Sequence, residues 1–527
     1  MSSPLWLRGR HTEIIAFAVG LLTVFGTVVI ISRMGDEEER LTIAVKQGAE
    51  GVALKEVAEN FSRSRHLPVE VVELPYDELY EAELKQLQSQ HTRMVGSVPR
   101  FDVIMVDDPW MYSFAYGPGR SSPRLKRLNS LFGSQTSDFV GASLDVAKVC
   151  LGGKPCSDYF GVPFVANSQL FAYRPADFSN APDNGPSTWD DVCAVSLKVR
   201  DRMGYVTRIG AGNSIVTDFL PILWAYDPTS LGDRSVVPLH HPYAALDVFR
   251  FLVGSTKNLG NASFDDFDVS AYLQKGRTST GIIWSAWAMM LVDTDRAARE
   301  MIISSYRGNR SESSLTLQNA LLSQRPDSGP AENTDIVYKE RLIFSPLPQA
   351  VRAAPARPEL GVWLLAIPAD SRRIDLAREF IRYATDLNDN SGARQLKKSL
   401  MAAHSGTPPP RKSVLAMLQQ EHEYKYEYPS LLPQIRYSLE HARPRPRTAC
   451  WKQAEKILGS YLERMVDQPG QSSCAVESCS CTNNCAAAYG AHSIACQSEL
   501  LKEANRELAP LLDEGSCDKI RQLSETP

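Results

Sequence analysis

The stretch FGVPFVANSQLFAYR, residues 160–174, constrains the fold most. Its two ends are apolar, β-branched and aromatic, and a polar step, Asn167-Ser168-Gln169, interrupts them. Such a run reads as a long extended strand that leaves one α/β lobe and enters a second. A second run, LGVWLLAIP at 360–368, reads as the return crossing. A chain that crosses and crosses back makes two lobes on a hinge, with a cleft between them that can close.

The segments before the crossing alternate in type. Residues 41–47 (LTIAVKQ) alternate as a strand and stop at the Gly48–Gly51 turn. Residues 52–62 carry Leu54, Val57, Ala58 and Phe61 at helical spacing. A strand at 69–74, a helix at 76–88 and a strand at 102–106 (DVIMV), buried on both faces by its composition, follow. This alternation predicts a parallel sheet covered on both faces, with ligands bound beyond the carboxyl ends of its strands. The loops there are 47–51 and Asp107-Asp108-Pro109-Trp110. Beyond the crossing, Ser187 or Thr188 caps a helix, and 213–226 is a second helix. Residues 281–290 are a strand running into a helix, 374–385 an amphipathic helix and 451–465 a last helix. Pro-rich segments lie at 407–411 and 443–447.

The chain has 527 residues, 43% hydrophobic and 22% charged, enough for two to four domains. A net charge of −4 against 57 basic and 61 acidic side chains leaves no basic field for nucleic acid. Residues 14–31 form an apolar run about 27 Å long as a helix, near the hydrocarbon thickness of a bilayer. Arg8 and Arg10 precede it and an acidic run, 36–39, follows, which places the rest of the chain outside the cytoplasm. A cleaved signal peptide is the other reading; the run lacks a small-x-small site and a lipid-accepting cysteine, which favours an uncleaved anchor. Six of ten cysteines (Cys474, Cys479, Cys481, Cys485, Cys496, Cys517) fall in the last tenth of the chain, and Cys150 and Cys156 bracket a short loop. In an oxidising compartment these read as disulfides; zinc held by thiolates is the alternative for the tail. Residues 467–527 are expected to be a small stapled appendage with a helix at 498–512 and little core of its own.

Eight segments in order resemble the extracellular solute-binding proteins of bacterial ABC importers, in the sugar-binding family that includes maltose-binding protein. They are LTIAVKQGAEGVALKEVAENF, FDVIMVDDPWMYSFA, YFGVPFVANSQLFAYR, PSTWDDV, AGNSIVTDFLPILWAYD, GIIWSAWA, LGVWLLAIPADSRRIDLAREFIRYA and GTPPPRKSV, and the similarity covers roughly 41–465. The resemblance implies an α/β, two-lobed type 2 periplasmic-binding-protein fold, here with an N-terminal transmembrane helix and a small cysteine-rich C-terminal appendage. Residues 1–40 would be a cytoplasmic N-terminus and anchor. Lobe one would hold about 41–165 and 364–430, lobe two about 169–360 and 431–466, and 467–527 the tail. The implied function is capture of a sugar or polyol in the interlobe cleft and its presentation to ABC permease subunits, without catalysis, cofactor or metal. With the apolar run read as an anchor, the expected location is the inner (plasma) membrane, single-pass through 14–31, with the binding domain in the periplasm or outside the cell. The anchor, the extra loop 150–159 and the tail depart from the family. They leave open a second role, an anchored ligand sensor or adaptor that signals to a partner protein.

The expected ligand-binding residues follow from chemistry and place. Asp107 and Asp108 end a buried strand and can accept hydrogen bonds from hydroxyls, while Trp110 can cover an apolar sugar face; the pair could equally cap a turn. Asn167 and Gln169 on the crossing strand offer donor and acceptor at once, or else satisfy backbone groups at the hinge. Trp284 and Trp287 lie three apart and Trp363 follows Gly361 on the return strand; Gly361, Trp287 and Trp363 are taken for the site, with burial in the core as the other reading of each ring. Asn213 opens a helix whose positive end would face the cleft, as a contact or a plain cap. Gln47 and Glu50 flank Gly48 in the first loop, and Arg447 and Trp451 are further candidates. No Ser-His-Asp order, phosphate loop or HExxH supports catalysis.

Overall fold

A computed structural model of the chain describes residues 40–89, 100–117, 123–149, 157–178, 185–200, 202–210, 213–231, 239, 242–257, 264–292, 342–352, 354–387, 396–467 and 491–525. Eight strands form one sheet, in the order β2-β1-β3-β8-β4-β6-β5, with β7 also on β4. They are β1 (Leu41–Lys46), β2 (Val69–Leu74), β3 (Val103–Asp107), β4 (Val162–Tyr173), β5 (Met203–Val206), β6 (Thr278–Trp284), β7 (Ile343–Ser345) and β8 (Leu360–Ala366).

The expected crossing strand is β4, twelve residues buried throughout. Its first part, Val162 to Ser168, pairs with β8, and its second part, Gln169 to Tyr173, pairs with β6 and β7. The ladder to β8 is irregular between Pro163 and Val165, where a proline has no N–H to give. The return strand β8 lies between β3 and β4. The sheet is mixed rather than parallel. β1 pairs in parallel with β2 and β3, and β5 with β6, but every pair made by β4 or β8 is antiparallel. The alternating pattern before residue 107 describes the first βα units only, and the crossing strands run back through them.

Local chemistry explains the helices. α1 (Ala49–Arg65) starts three residues earlier than the apolar spacing predicts, because Gly48 turns the chain at φ 123° and Gly51 passes close under the end of β1. A Cβ on Gly51 would sit 2.4 Å from the Lys46 carbonyl oxygen. α2 (Tyr76–Ser89) follows β2, and α3 (Met111–Ala115) follows a 3-10 turn, Asp108–Trp110. Thr188 caps α4 (Trp189–Lys198) in a capping box with Asp191. Further helices include α5 (Asn213–Tyr226), α6 (Asp266–Gln274), α7 (Ser285–Val292), α8 (Ile374–Ala384), α9 (Leu431–His441) and α10 (Trp451–Asp467).

Two apolar cores result. The first gathers β1, β3, β8, the first part of β4, and Leu54, Phe61, Trp110 and Phe380. The second gathers Phe171, Trp189, Tyr205, Phe219, Trp224, Trp451 and Leu458. The first core also takes Phe267, Leu273, Trp284 and Met289, and Leu431, Ile435 and Leu439 of α9. α7 and α9 lean on the crossing strand β4, and α6 leans on β6.

The tail differs from a separate appendage. α11 (Ala491–Leu512) places Leu500, Leu501, Ala504, Leu508 and Leu511 in the second core, against α10. Asn505 bonds both the N–H and the C=O of Leu239 at 2.9 Å. α12 (Glu514–Glu525) follows, and Cys517 is disulfide-bonded to Cys450 just before α10. Sequence composition flagged the cysteines of this segment and missed how much apolar surface its helix contributes. Residues 14–31, Cys150, Cys156, Cys474, Cys479, Cys481 and Cys485 lie outside the described residues. Among the described residues no helix is long and apolar enough to cross a membrane.

Gln169 ties the middle of β4 to three other segments. Its Nε2 donates to the Thr217 carbonyl at 2.6 Å, its Oε1 accepts from the Glu359 N–H at 3.1 Å, and its carbonyl accepts from Ser438 Oγ at 2.7 Å. Gln169→Leu keeps the volume and orphans two backbone groups. The expected loss of stability is about 1–3 kcal/mol for each, read as a lower urea midpoint; an unchanged midpoint would show that the amide holds nothing.

Candidate functional site

The sheet register brings several expected site residues together. Asp107 stands opposite Trp363, Trp363 opposite Val165, Gly361 opposite Asn167, and Gln169 opposite Trp284. A Cβ on Gly361 would lie 3.0 Å from the Trp284 ring, so the backbone and the indole meet where the two crossing strands lie side by side. Arg208 lies over the other side of this hinge region, its guanidinium carbon 5.5 Å from the Trp284 centroid. Asp218 holds Arg208 through its main-chain N–H at 2.8 Å and through Nε at 2.9 Å, and Asp266 holds Nη1 at 2.7 Å.

On the first lobe, Lys46 spans the loop after β1. Its Nζ donates to Glu50 Oε2 at 3.2 Å and to the Gln47 carbonyl at 3.2 Å, and it lies 5.6 Å from the Trp363 ring centroid. Trp363 in turn meets Trp110 edge-on at 5.7 Å and Tyr76 at 6.1 Å. Trp110 also packs on Tyr80 and Phe114 and is only 1% exposed. Glu50, Gln47, Trp363, Trp110, Asp107 and Asp108 thus form one connected set.

Arg445 is the centre of that set. Its Nη2 donates to Asp107 Oδ1 at 2.8 Å and Oδ2 at 2.9 Å, and reaches Asp108 Oδ1 at 3.4 Å. Its Nε is 3.2 Å from Glu359 and its Nη1 is 3.6 Å from Glu455. Tyr76 donates to Asp107 Oδ2 at 2.8 Å, and Asp108 Oδ1 accepts from the Val362 N–H at 3.0 Å. Arg445 and all four carboxylates are buried to within 3% of full burial. One guanidinium thus faces four acids from three places: the end of β3, the residue before β8, and α10.

The remaining expected residues are placed as follows. Asn167 Oδ1 accepts from Ser285 Oγ at 2.7 Å and from the Ala286 N–H at 3.1 Å, where α7 begins. Asn167 and Gln169 therefore bond groups of neighbouring segments. Trp287 is 6% exposed and meets Phe267 edge-on at 6.3 Å. Asn213 is the first residue of α5. Sequence reasoning missed Lys46, Tyr76, Arg208, Glu359, Arg445 and Glu455. The alternation Arg443-Pro444-Arg445-Pro446-Arg447 carried a usable signal. Each proline fixes φ and holds the chain extended, so a period of two sends alternate arginines to different surroundings.

Five side chains on this seam keep buried polar atoms without a hydrogen-bond partner among the described residues: Asp108 Oδ2, Trp110 Nε1, both Glu359 carboxylate oxygens, Arg445 Nε and Trp451 Nε1. Glu359 stands within ion-pair distance of Arg445 Nε but lacks the alignment of a hydrogen bond. Burial pushes the Asp108 carboxyl up to about 7, with Arg445 opposing and Asp107 adding to the rise. Burial likewise pushes Glu359 well above the carboxylate range.

For an acid raised in the folded state, the stability it contributes is full below its unfolded pKa and is lost as pH rises through the folded one. The Asp108 window therefore runs from about 4 to about 7. Asp108→Asn keeps the acceptor for Val362 and removes the titration. The wild type should lose roughly 1–4 kcal/mol relative to this variant between pH 4.5 and 8, measured by urea unfolding across that range. Parallel pH curves for the two proteins would remove Asp108 from the account.

Known proteins share this architecture. The family model described as bacterial extracellular solute-binding protein matches residues 46–386, more than half of the chain. A Sinorhizobium fredii protein named "Probable amino-acid ABC transporter periplasmic-binding protein" is 22% identical over 256 residues, which are 47% of this chain and 56% of that relative. The chain thus spans little more than half the length of that curated relative. Among solved structures, maltose-bound MalE3 of T. maritima superposes with a TM-score of 0.59 at 18% identity, covering 89% of this chain and 98% of that one. A solute-binding protein from Agrobacterium radiobacter K84 in complex with ribitol gives 0.59 at 16% identity, covering 90% and 98%. UgpB from Mycobacterium tuberculosis in complex with glycerophosphocholine gives 0.58 at 18% identity, covering 90% and 98%. At these identities the structural likeness is one of fold. The two-lobed α/β fold and the family match agree, and the chain belongs to the bacterial extracellular solute-binding proteins.

Proposed function

We propose that the seam around Arg445 and Trp363 lines a cleft that captures a sugar or polyol and presents it to an ABC permease. One observation carries this reading: the unpartnered polar atoms of the seam are both acceptors (Asp108, Glu359) and donors (Trp110, Arg445, Trp451), set beside indole faces. A hydroxyl donates and accepts at once, so a polyhydroxylated guest can satisfy both kinds, while ring carbons lie on the indoles. The ion pairs argue against an anionic guest, because Arg445 already faces four carboxylates and Arg208 faces two, which leaves neither arginine to hold an anion. Glu50, Gln47, Asp107, Asp108, Trp110, Gly361 and Trp363 would line the first side. Asn213 and Trp287 would lie on the second, and Asn167 and Gln169 would set the hinge. The maltose and ribitol carried by the structural relatives belong to the same chemical class.

Closure would be driven by the solute, because only the closed form touches it from both lobes. In this reading residues 14–31 anchor the protein in the plasma membrane with the lobes on the outer side. A thermal-shift panel of ribitol, mannitol, maltose and longer saccharides tests the class, since a solute bound only by the folded form raises the melting temperature. Calorimetry then tests the site. Trp363→Ala should weaken the best solute by about 1.5–3 kcal/mol, roughly tenfold to a hundredfold or more. A panel without any shift would sink the class, and an unchanged affinity would remove Trp363 from the cleft.

A further inference from the structure

The C-terminal helix α12 touches both lobes. At one point Cys517 is bonded to Cys450, which precedes α10 in the second core, and both are buried. One helical turn later, Arg521 reaches the first lobe. Its Nη2 donates to the Ser113 carbonyl at 3.0 Å and to the Tyr116 carbonyl at 3.2 Å, and the side chain is 6% exposed. Ser113 lies in α3 and Tyr116 follows it, directly after the Trp110 turn that carries the proposed site. Residues four apart lie on one helix face, so the cystine and the guanidinium act from the same side of α12. The approach is fixed further by Thr448 Oγ1, which donates to the Leu511 carbonyl at 2.9 Å, and by Tyr461, which donates to Glu507 at 3.0 Å.

We propose that α11 and α12 form a covalently secured strap that restrains the angle between the lobes. The cystine roots the strap on the second lobe, and Arg521 grips two carbonyl groups of the first. When the lobes swing apart, the covalent end cannot yield, so the two charge-assisted hydrogen bonds of Arg521 must break. The arrangement in which Arg521 reaches Ser113 and Tyr116 is thereby favoured in the absence of any solute. Hydrogen bonds to charged groups are strong enough that their loss shifts such a two-state balance by about tenfold or more. The inference rests on the two-lobed fold and not on which solute the cleft takes.

The test is single-molecule energy transfer on the full chain without solute. Bioorthogonal dyes replace the exposed Lys55 on α1 and Lys456 on α10, which leaves every cysteine in place. Arg521→Ala leaves the cystine intact, and a Cys450→Ser, Cys517→Ser double variant removes the root. Amide exchange around Leu239 and Asn505 reports in each whether α11 stays docked. The expected result is a rise of about tenfold in the more widely separated population for Arg521→Ala, with α11 protection unchanged. The cystine variant should show a similar rise. A wild-type distance distribution in Arg521→Ala overturns the proposal, as does a change confined to the cystine variant and accompanied by loss of α11 protection. Because no solute is present, these outcomes stand apart from the fate of the sugar-binding reading.

Discussion

The structure turns on one buried cation among four buried carboxylates. Arg445 joins the end of β3, the approach to β8 and the first turns of α10 at a single point. Removing such charges from water costs several kcal/mol each, and the Coulomb attraction between them offsets this only with good geometry. Asp107 has that geometry, held by Tyr76 and by both contacts to Nη2. Asp108 and Glu359 do not, and both are pushed toward the protonated form by burial. A core of aliphatic side chains would fill the same space at less cost. In the proposed function the polar excess makes physical sense, because lobes that part would let water or a hydroxylated guest serve the groups the protein leaves unpaired.

The crossing strands give that cluster its rigid frame. β4 and β8 carry residues of both lobes in one antiparallel ladder, so a side chain on one strand has a fixed neighbour on the other. Gly361 against Trp284 and Asn167 against the start of α7 are such fixed pairs. Elements placed on a sheet hold a site more precisely than loops do.

Much of this was legible in the residues. The crossings at 160–174 and 360–368, the strands of the first lobe and the helix over 213–226 announced themselves through apolar composition and period. The site was legible only as a set of positions. Asp107, Trp110, Gly361 and Trp363 were nominated from their place beyond a strand or beside a crossing, and they now stand as members of the proposed site. Arg445 was not, because its acceptors at Asp107 and Asp108 lie 338 and 337 residues away. No local pattern encodes a pairing of that separation. The antiparallel setting of the crossing strands and the depth of α11 in the second core were hidden for the same reason: each is decided by what the segment meets, not by its own composition.

The docking of α11 bears on how the chain comes to be folded at all. Leu500, Ala504, Leu508 and Leu511 join a core whose other members, from Phe171 to Met465, are synthesised earlier. Domains form as units while the chain emerges from its N-terminal end. The first core has all its buried members by Leu439, whereas the second stays uncovered on one side until the last helices emerge. The half of the molecule that is threaded first on the sheet is therefore the half that can set early, and the other waits for the final segment to shield it.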